Sequence, residues 1–73
     1  MNCHYSMVLQ WSEEDQLFIV SLPEFGKYSQ THGTTYEEAV QNGQEALELL
    51  IEAYQAEGRP LPEPATLRSS VPA

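Results

Sequence analysis

The sequence predicts an α+β fold, in which an antiparallel sheet of three or four short strands is covered by one long helix. Two patterns predict it. In the first third of the chain, polar and apolar residues alternate with a period of two, within runs rich in β-forming residues. In residues 35–57, apolar or small residues recur at steps of three and four, the spacing of one helix face. The length of 73 residues allows a single domain, so the predicted order is β-β-β-α, with a further strand possible at the end.

The first two strands are predicted to pair as an antiparallel hairpin. Residues 5–11 and 16–21 are separated only by the polar and charged residues 12–15. We expect Val8, Phe18 and Val20 to give apolar character to the sheet face that the helix leaves uncovered. One helix cannot cover both faces of the sheet, so this face or a sheet edge is the predicted contact of a homodimer. The helix end around Leu50, Ile51 and Tyr54 is a second candidate for a contact.

Residues 22–26 interrupt the strand pattern. A proline in this stretch has no N–H for a strand ladder, so we predict a loop with Leu22 or Phe25 tucked beneath it. Residues 27–32 are polar and are predicted to form a third short strand that ends at Gly33.

The helix is predicted to run from about residue 35 to residue 57, and Gly58 supplies its C-terminal stop. Gly43 lies inside the apolar stripe, where glycine costs about 1 kcal/mol relative to alanine. We therefore expect a closely packed neighbour at Gly43. The start matches a capping box in either of two registers, Thr34 with Glu37 or Thr35 with Glu38.

The end of the chain is predicted to lie outside the main domain. Residues 60–64 hold three prolines and form a stiff extended segment. We assign residues 1–64 to the domain and residues 65–73 to a C-terminal tail or a short extra strand.

The charge balance restricts the possible partners. There are 11 acidic and 3 basic residues, giving a formal net charge of −8, and the basic residues are scattered. Direct nucleic-acid binding needs clustered Lys and Arg and is not expected. A single Cys forms no internal disulfide. With no apolar run of membrane-spanning length and no signal peptide, we expect a soluble cytoplasmic protein.

The residues predict neither catalysis nor a metal or cofactor site. The acidic residues 13–15 are adjacent on a turn and point in different directions, so a solvated turn is favoured over a weak cation site. A metal-dependent nuclease is therefore the weakest functional hypothesis. Cys3 and His4 are neighbours near a terminus, and His32 has no evident orienting group, so we expect structural or exposed roles.

Three segments in a fixed order resemble the HicB family of antitoxins. They read SLPEFG at residues 21–26, GTTYEEAVQNGQEAL at residues 33–47 and GRPLPEP at residues 58–64. No single segment is diagnostic, but their order and spacing are specific, and the resemblance covers about residues 5–64. The loop in the first segment is one residue shorter than is usual in the family.

The resemblance implies a partial RNase H-like fold and an antitoxin function. HicB-like proteins bind a small HicA toxin, an mRNA-cleaving ribonuclease, and mask its RNA-binding surface; they tend to be dimers or tetramers. Many also carry a DNA-binding module after the proline-rich stretch. Only nine residues follow Pro64, so no such module is expected here. The alternative is a stand-alone oligomeric binding protein of the same fold without a toxin partner.

We expect the partner surface to combine carboxylates with aromatic side chains. Acidic residues imitate phosphate and steer a basic protein toward the surface, and aromatic residues anchor interfaces. The alternative interpretation of the charges is a solvated polar face with helix-dipole complementarity. The candidate partner-binding residues are Trp11, Glu13, Glu14, Asp15, Phe18, Glu24, Tyr28 and Tyr54.

Overall fold

The computed structural model describes residues 4–26 and 29–67 and has the predicted α+β architecture. The strands are consecutive in an antiparallel sheet of order β1-β2-β3, and one helix packs across it. The elements are β1 (Val8–Ser12), β2 (Leu17–Ser21), a short 3₁₀ helix (Pro23–Phe25), β3 (Gln30–Gly33) and α1 (Tyr36–Ala56).

β1 is shorter than predicted at its start. Val8 pairs with Ser21, the last residue of β2, and the chain then turns into the 3₁₀ helix. Residues before Val8 therefore have no strand beside them. The backbone N–H of Ser6 instead donates to the carboxylate of Glu24 at 3.1 Å.

The hairpin turn takes one residue that was predicted to belong to β2. Gln16 has a φ of 56°, and its backbone N–H donates to the carbonyl of Ser12 at 2.8 Å. The side chain of Gln16 donates to the carbonyl of Glu13 at 2.6 Å. The turn is thus a four-residue loop, residues 13–16.

The prediction that Val8 shares a face with Phe18 and Val20 is wrong. Val20 lies opposite Leu9, and Phe18 lies opposite Trp11. Directly opposed residues point to the same side of a sheet, and Val20 is fully buried in the core on that side. The open face instead carries the alternate residues Val8, Gln10, Ser12, Leu17, Ile19, Ser21, Gln30 and His32.

The core lies between the sheet and α1. Leu22 and Phe25, before and within the 3₁₀ helix, are both buried, as predicted for this loop. The helix packs mainly over β3 and β2 and makes little contact with β1. The buried hydrophobic residues are Val20, Leu22, Phe25, Ala39, Leu47 and Ile51.

Two glycines permit the close approach of α1 to the sheet. A Cβ on Gly43 would lie 2.6 Å from Sδ of Met7 and 3.2 Å from a methyl of Val20, which confirms the expected close neighbour. A Cβ on Gly33 would lie 2.5 Å from the backbone nitrogen of Ala39 and 2.6 Å from its Cα. These positions fix how near the helix sits to β2 and β3.

The helix start follows the second of the two capping registers. Oγ1 of Thr35 accepts from the backbone N–H of Glu38 at 3.1 Å, and the Glu38 carboxylate accepts from the N–H of Thr34 at 2.8 Å. The first bond satisfies a donor that the first helical turn leaves without an intrahelical partner, and the second ties the residue before the N-cap to the helix.

The helix ends in a Schellman motif. Gly58 has a φ of 68° and donates its N–H to the carbonyl of Gln55, while Arg59 donates to the carbonyl of Tyr54. The predicted stop at Gly58 is therefore confirmed.

The chain after α1 returns to the start of the sheet. The Tyr5 hydroxyl donates to the carbonyl of Pro62 at 2.7 Å. No fourth strand forms within residues 59–67, and the rest of the predicted tail, residues 68–73, lies outside the described residues. Within the described ranges, no helix has both the length and the apolar character needed to cross a membrane.

Replacing Gly33 with Ala is expected to destabilise the fold by about 1–3 kcal/mol, because a new methyl would meet backbone atoms that have no room to move. Urea unfolding measures the effect. Gly58→Ala meets no atom within 4 Å, so its cost of about 1–2 kcal/mol comes from the left-handed conformation alone. Gly58→Asn should lose less, since Asn tolerates that conformation. A Gly33→Ala protein as stable as the parent would contradict the packing.

Candidate protein-binding surface

Three aromatic side chains form a row across one end of the molecule. Trp11 near the end of β1 meets Phe18 near the start of β2, with ring centres 5.0 Å apart in an edge-to-face arrangement. Phe18 in turn lies 4.3 Å from the ring of Tyr36, the first residue of α1. Trp11 is 45% exposed and Tyr36 is 67% exposed. We call these three residues the aromatic row.

The acidic turn borders the aromatic row. Glu13, Glu14 and Asp15 are all exposed and begin two residues after Trp11. The Asp15 carboxylate lies 3.4 Å from the Ser12 hydroxyl, an exposed contact within the turn. Among the described residues, one ion pair is present, between Arg59 and Glu57 at 3.4 Å. It lies at the far end of α1. The three turn carboxylates therefore face solvent without a basic neighbour among the described residues.

A shallow groove of about 550 Å³ runs along the first three turns of α1. It begins at Tyr36 in the aromatic row. Val40, one turn further along, is 38% exposed. The residues that line this helix groove are Tyr36, Glu37, Val40, Gln41 and Gln44.

The groove exists because α1 covers only part of the sheet. A helix is about 10–12 Å wide with its side chains, and a sheet of three strands spaced by about 4.8 Å is about 14 Å across. Since α1 sits over β3 and β2, the side of the helix that faces β1 keeps apolar surface in contact with water. Tyr36 and Val40 are that surface.

The structure brings together some of the predicted partner residues and separates others. Trp11 and Phe18 lie beside the acidic turn, as one continuous surface. Glu24 and Tyr54 lie at the opposite end of the sheet, and Tyr28 falls outside the described residues.

Glu24 holds two distant segments of the chain together. Its carboxylate accepts from the Ser6 hydroxyl at 2.9 Å and from the backbone N–H of Ala65 at 3.0 Å, in addition to the N–H of Ser6. The residues Ser6, Glu24 and Ala65 form what we call the Glu24 clasp. These bonds give the Glu24 carboxylate a structural role within its own chain, and its role in partner binding stays a prediction.

The clasp lowers the pKa of Glu24. Partial burial by itself raises this pKa, but the hydrogen bonds from Ala65 and Ser6 favour the charged carboxylate, and the net shift is below the ordinary value of 4.5. The folded state therefore favours the ionised form of the Glu24 side chain over the protonated form.

Tyr54 anchors the C-terminal segment. Its ring meets Phe25 at 5.4 Å, and Phe25 meets Tyr5 at 4.8 Å. The guanidinium carbon of Arg59 lies 4.2 Å from the centre of the Tyr54 ring. Tyr54 is thus partly covered by its own chain, and its nearby helix residue Ile51 is buried in the core.

Sequence reasoning missed Tyr36 and Val40 as surface residues. Both lie on the apolar stripe of the helix, and the stripe alone predicts that they pack against the sheet. Their exposure follows from the position of α1 over β2 and β3, which the stripe alone does not reveal.

The residues that were considered for catalysis are dispersed. His4 and His32 are exposed, and the carbonyl of His32 accepts from the side-chain amide of Asn42 at 2.7 Å. Cys3 lies outside the described residues. Within residues 4–26 and 29–67, no three His, Cys, Asp or Glu side chains come together as a metal-binding group.

Comparison with family models, with curated proteins and with solved structures gave no match.

Replacing Glu24 with Gln should destabilise the protein more at neutral pH than at low pH. A lowered folded pKa means that the clasp contributes fully above about 4.5, the ordinary value, and that this contribution is lost as the pH falls through the folded pKa. Below that point the parent carboxyl is protonated and resembles the amide. Urea unfolding of both proteins between pH 7 and about pH 3 measures the difference. A difference in unfolding free energy that stays constant across this range would argue against the clasp.

Proposed function

We propose that this chain is a HicB-like antitoxin domain that binds a small HicA-like mRNA-cleaving toxin and masks its RNA-binding surface. The observation that carries the proposal is the acidic turn beside the exposed aromatic row, on a chain whose ordered motifs resemble that family. A protein surface that binds RNA is basic, so an inhibitor that covers it needs negative charge and anchoring side chains at one place. The partner is a protein, and the proposal includes neither a catalytic step nor direct nucleic-acid binding.

The structural positions of residues in the three matching segments support the resemblance. Gly33 and Gly58 stand where a side chain would collide with the helix or strain the backbone. Leu22 is buried at the start of the first motif segment. Residues that match the family pattern thus fall at the junctions between elements, where the fold restricts the choice of residue.

The carboxylates at the two ends of the sheet differ in their hydrogen bonding, and this difference favours the end with the acidic turn as the toxin-binding site. The ionised carboxylate of Glu24 is hydrogen-bonded by donors from its own chain, whereas the exposed acidic turn is available to an incoming cation. Exposed charges of this kind act mainly on the rate of association.

The direct test mixes the purified chain with a purified HicA-like ribonuclease, taken from the neighbouring gene if one is encoded there, and measures both binding and inhibition of RNA cleavage. We expect a stable complex and loss of cleavage at equimolar protein. Absence of binding at micromolar concentrations would refute the proposal.

Neutralising the acidic turn should slow association with the toxin. The triple change Glu13→Gln, Glu14→Gln and Asp15→Asn is expected to lower the association rate constant by about tenfold at low salt, because steering charges next to the interface are lost. Stopped-flow fluorescence measures the rate. The matched control removes the same three charges from the exposed helix surface by changing Glu45, Glu48 and Glu52 to Gln. Equal slowing by both triple variants would show that only net charge matters.

The open sheet face supports a second candidate function, a stand-alone oligomeric binding protein. Val8 is 43% exposed, and Leu17 and Ile19 lie on the same face with no element of the described chain above them. β1 is also an edge strand without a proline or lysine to protect it. A second copy could cover this face or pair with this edge.

Val8→Lys is expected to convert an oligomer into a monomer, because a charge on the open face would lose its hydration in the contact. Light scattering after size-exclusion chromatography measures the mass. Leu49→Lys is the matched control, since Leu49 is 66% exposed and lies on α1, away from this face. A parent chain that is monomeric at high concentration would remove this second candidate.

A further inference from the structure

We propose that the helix groove and the aromatic row bind an arginine-bearing segment of the basic protein partner. This inference rests on the proposed function and names the place and the chemistry of the contact. The occupant is a stretch of polypeptide whose apolar residues lie on Tyr36 and Val40 and whose guanidinium groups reach the aromatic faces and the neighbouring carboxylates.

The groove joins exposed apolar surface to negative charge. Trp11, Tyr36 and Val40 are large apolar side chains that are 45%, 67% and 38% exposed. Adjacent exposed apolar side chains rimmed by polar groups are typical of a protein interaction site. Here Glu37 lines the groove, and the acidic turn follows Trp11 at the other end of the aromatic row, so the combined surface is complementary to a segment that is both apolar and basic.

Arginine suits these groups better than lysine. Its planar guanidinium stacks on aromatic rings and binds carboxylates through two N–H groups at once. The side-chain amides of Gln41 and Gln44 add further hydrogen-bonding groups along the groove.

The molecule already contains one example of this arrangement. At the far end of α1, the guanidinium of Arg59 lies 4.2 Å from the centre of the Tyr54 ring, and it pairs with the Glu57 carboxylate at 3.4 Å. Tyr36 and Glu37 supply the same two chemical groups at the near end, where both line the groove, although adjacent helix residues point in different directions. No Lys or Arg of the described residues lies beside them, because Arg59 is engaged with Tyr54.

Charge argues against a second copy of this chain as the occupant. Each copy has a net charge of −8, and contact through this groove would bring two sets of Glu37 and turn carboxylates toward each other. Like charges brought together in a contact that excludes water repel each other strongly. The groove therefore selects a basic partner and disfavours self-association at this site.

Trp11 is the single tryptophan of the chain, so its fluorescence reports directly on the aromatic row. The experiment titrates the full chain with an arginine-rich peptide that contains two leucines, and in parallel with the lysine version of the same peptide. We expect saturable quenching or a spectral shift with the arginine peptide, and binding at least about threefold weaker with the lysine peptide.

Two variants locate the site. Tyr36→Ala combined with Val40→Ala should weaken binding of the arginine peptide and of the toxin by at least about tenfold, whereas the matched control Leu49→Ala should bind like the parent. Gln41→Lys combined with Gln44→Lys places positive charge in the groove without removing any apolar contact, and it should weaken binding as well. Thermal unfolding shows whether each variant is folded. If the alanine variant is unfolded, binding by the variant with Gln41→Lys and Gln44→Lys decides whether the groove is the contact.

The outcomes separate this inference from the function on which it rests. Toxin binding that is unchanged in both groove variants would overturn the groove and leave the antitoxin function in place. Absence of toxin binding by the parent chain would overturn both. Equal effects of Leu49→Ala and the groove variants would also overturn the groove, because the contact would then not be localised.

Discussion

The close approach of α1 to two of the three strands determines the rest of the surface. Gly43 lets the middle of the helix approach Met7 and Val20, and Gly33 lets the end of β3 pass against the backbone of Ala39. Because α1 packs closely over β2 and β3, it leaves β1 largely uncovered. The same packing that completes the core therefore leaves Trp11 and the flank of α1 in contact with water.

The two ends of the sheet use their acidic residues in opposite ways. At one end, Glu24 accepts hydrogen bonds from Ser6 and Ala65 and fastens the start of the chain to its C-terminal segment. A carboxylate that is hydrogen-bonded in this way contributes to stability only while it is ionised. At the other end, the side-chain hydrogen bonds of the turn among the described residues stay within residues 12–16. Its charges cost little where they are hydrated, and they are available to a partner.

Local patterns predicted the elements, but long-range contacts decided the details. Residues 17–20 are all apolar, so alternation alone could not tell which of Phe18 and Ile19 faces the helix. The turn settled it, because the left-handed Gln16 belongs to the loop and the pairing of Phe18 with Trp11 follows. The capping register, the loop with buried Leu22 and the stop at Gly58 depend on neighbouring residues and were accessible to sequence reasoning, although the register stayed open between two choices. The Glu24 clasp includes a hydrogen bond between residues 41 positions apart, and a contact over that distance cannot be predicted from a local sequence pattern.

The distribution of charge keeps the two proposed contacts on different surfaces. The strand residues of the open face include Val8, Leu17 and Ile19 but no Asp or Glu, so a second copy could approach there without bringing carboxylates together. The aromatic row and the acidic turn lie at one end of the sheet and along α1, on the side of the helix. Apolar surface without charge favours a copy of the same acidic chain, whereas apolar surface rimmed by carboxylates favours a basic protein. Because the contacts do not overlap, an oligomer formed through the open face would present one groove per chain to a toxin, and assembly would raise the local number of binding sites rather than hide them.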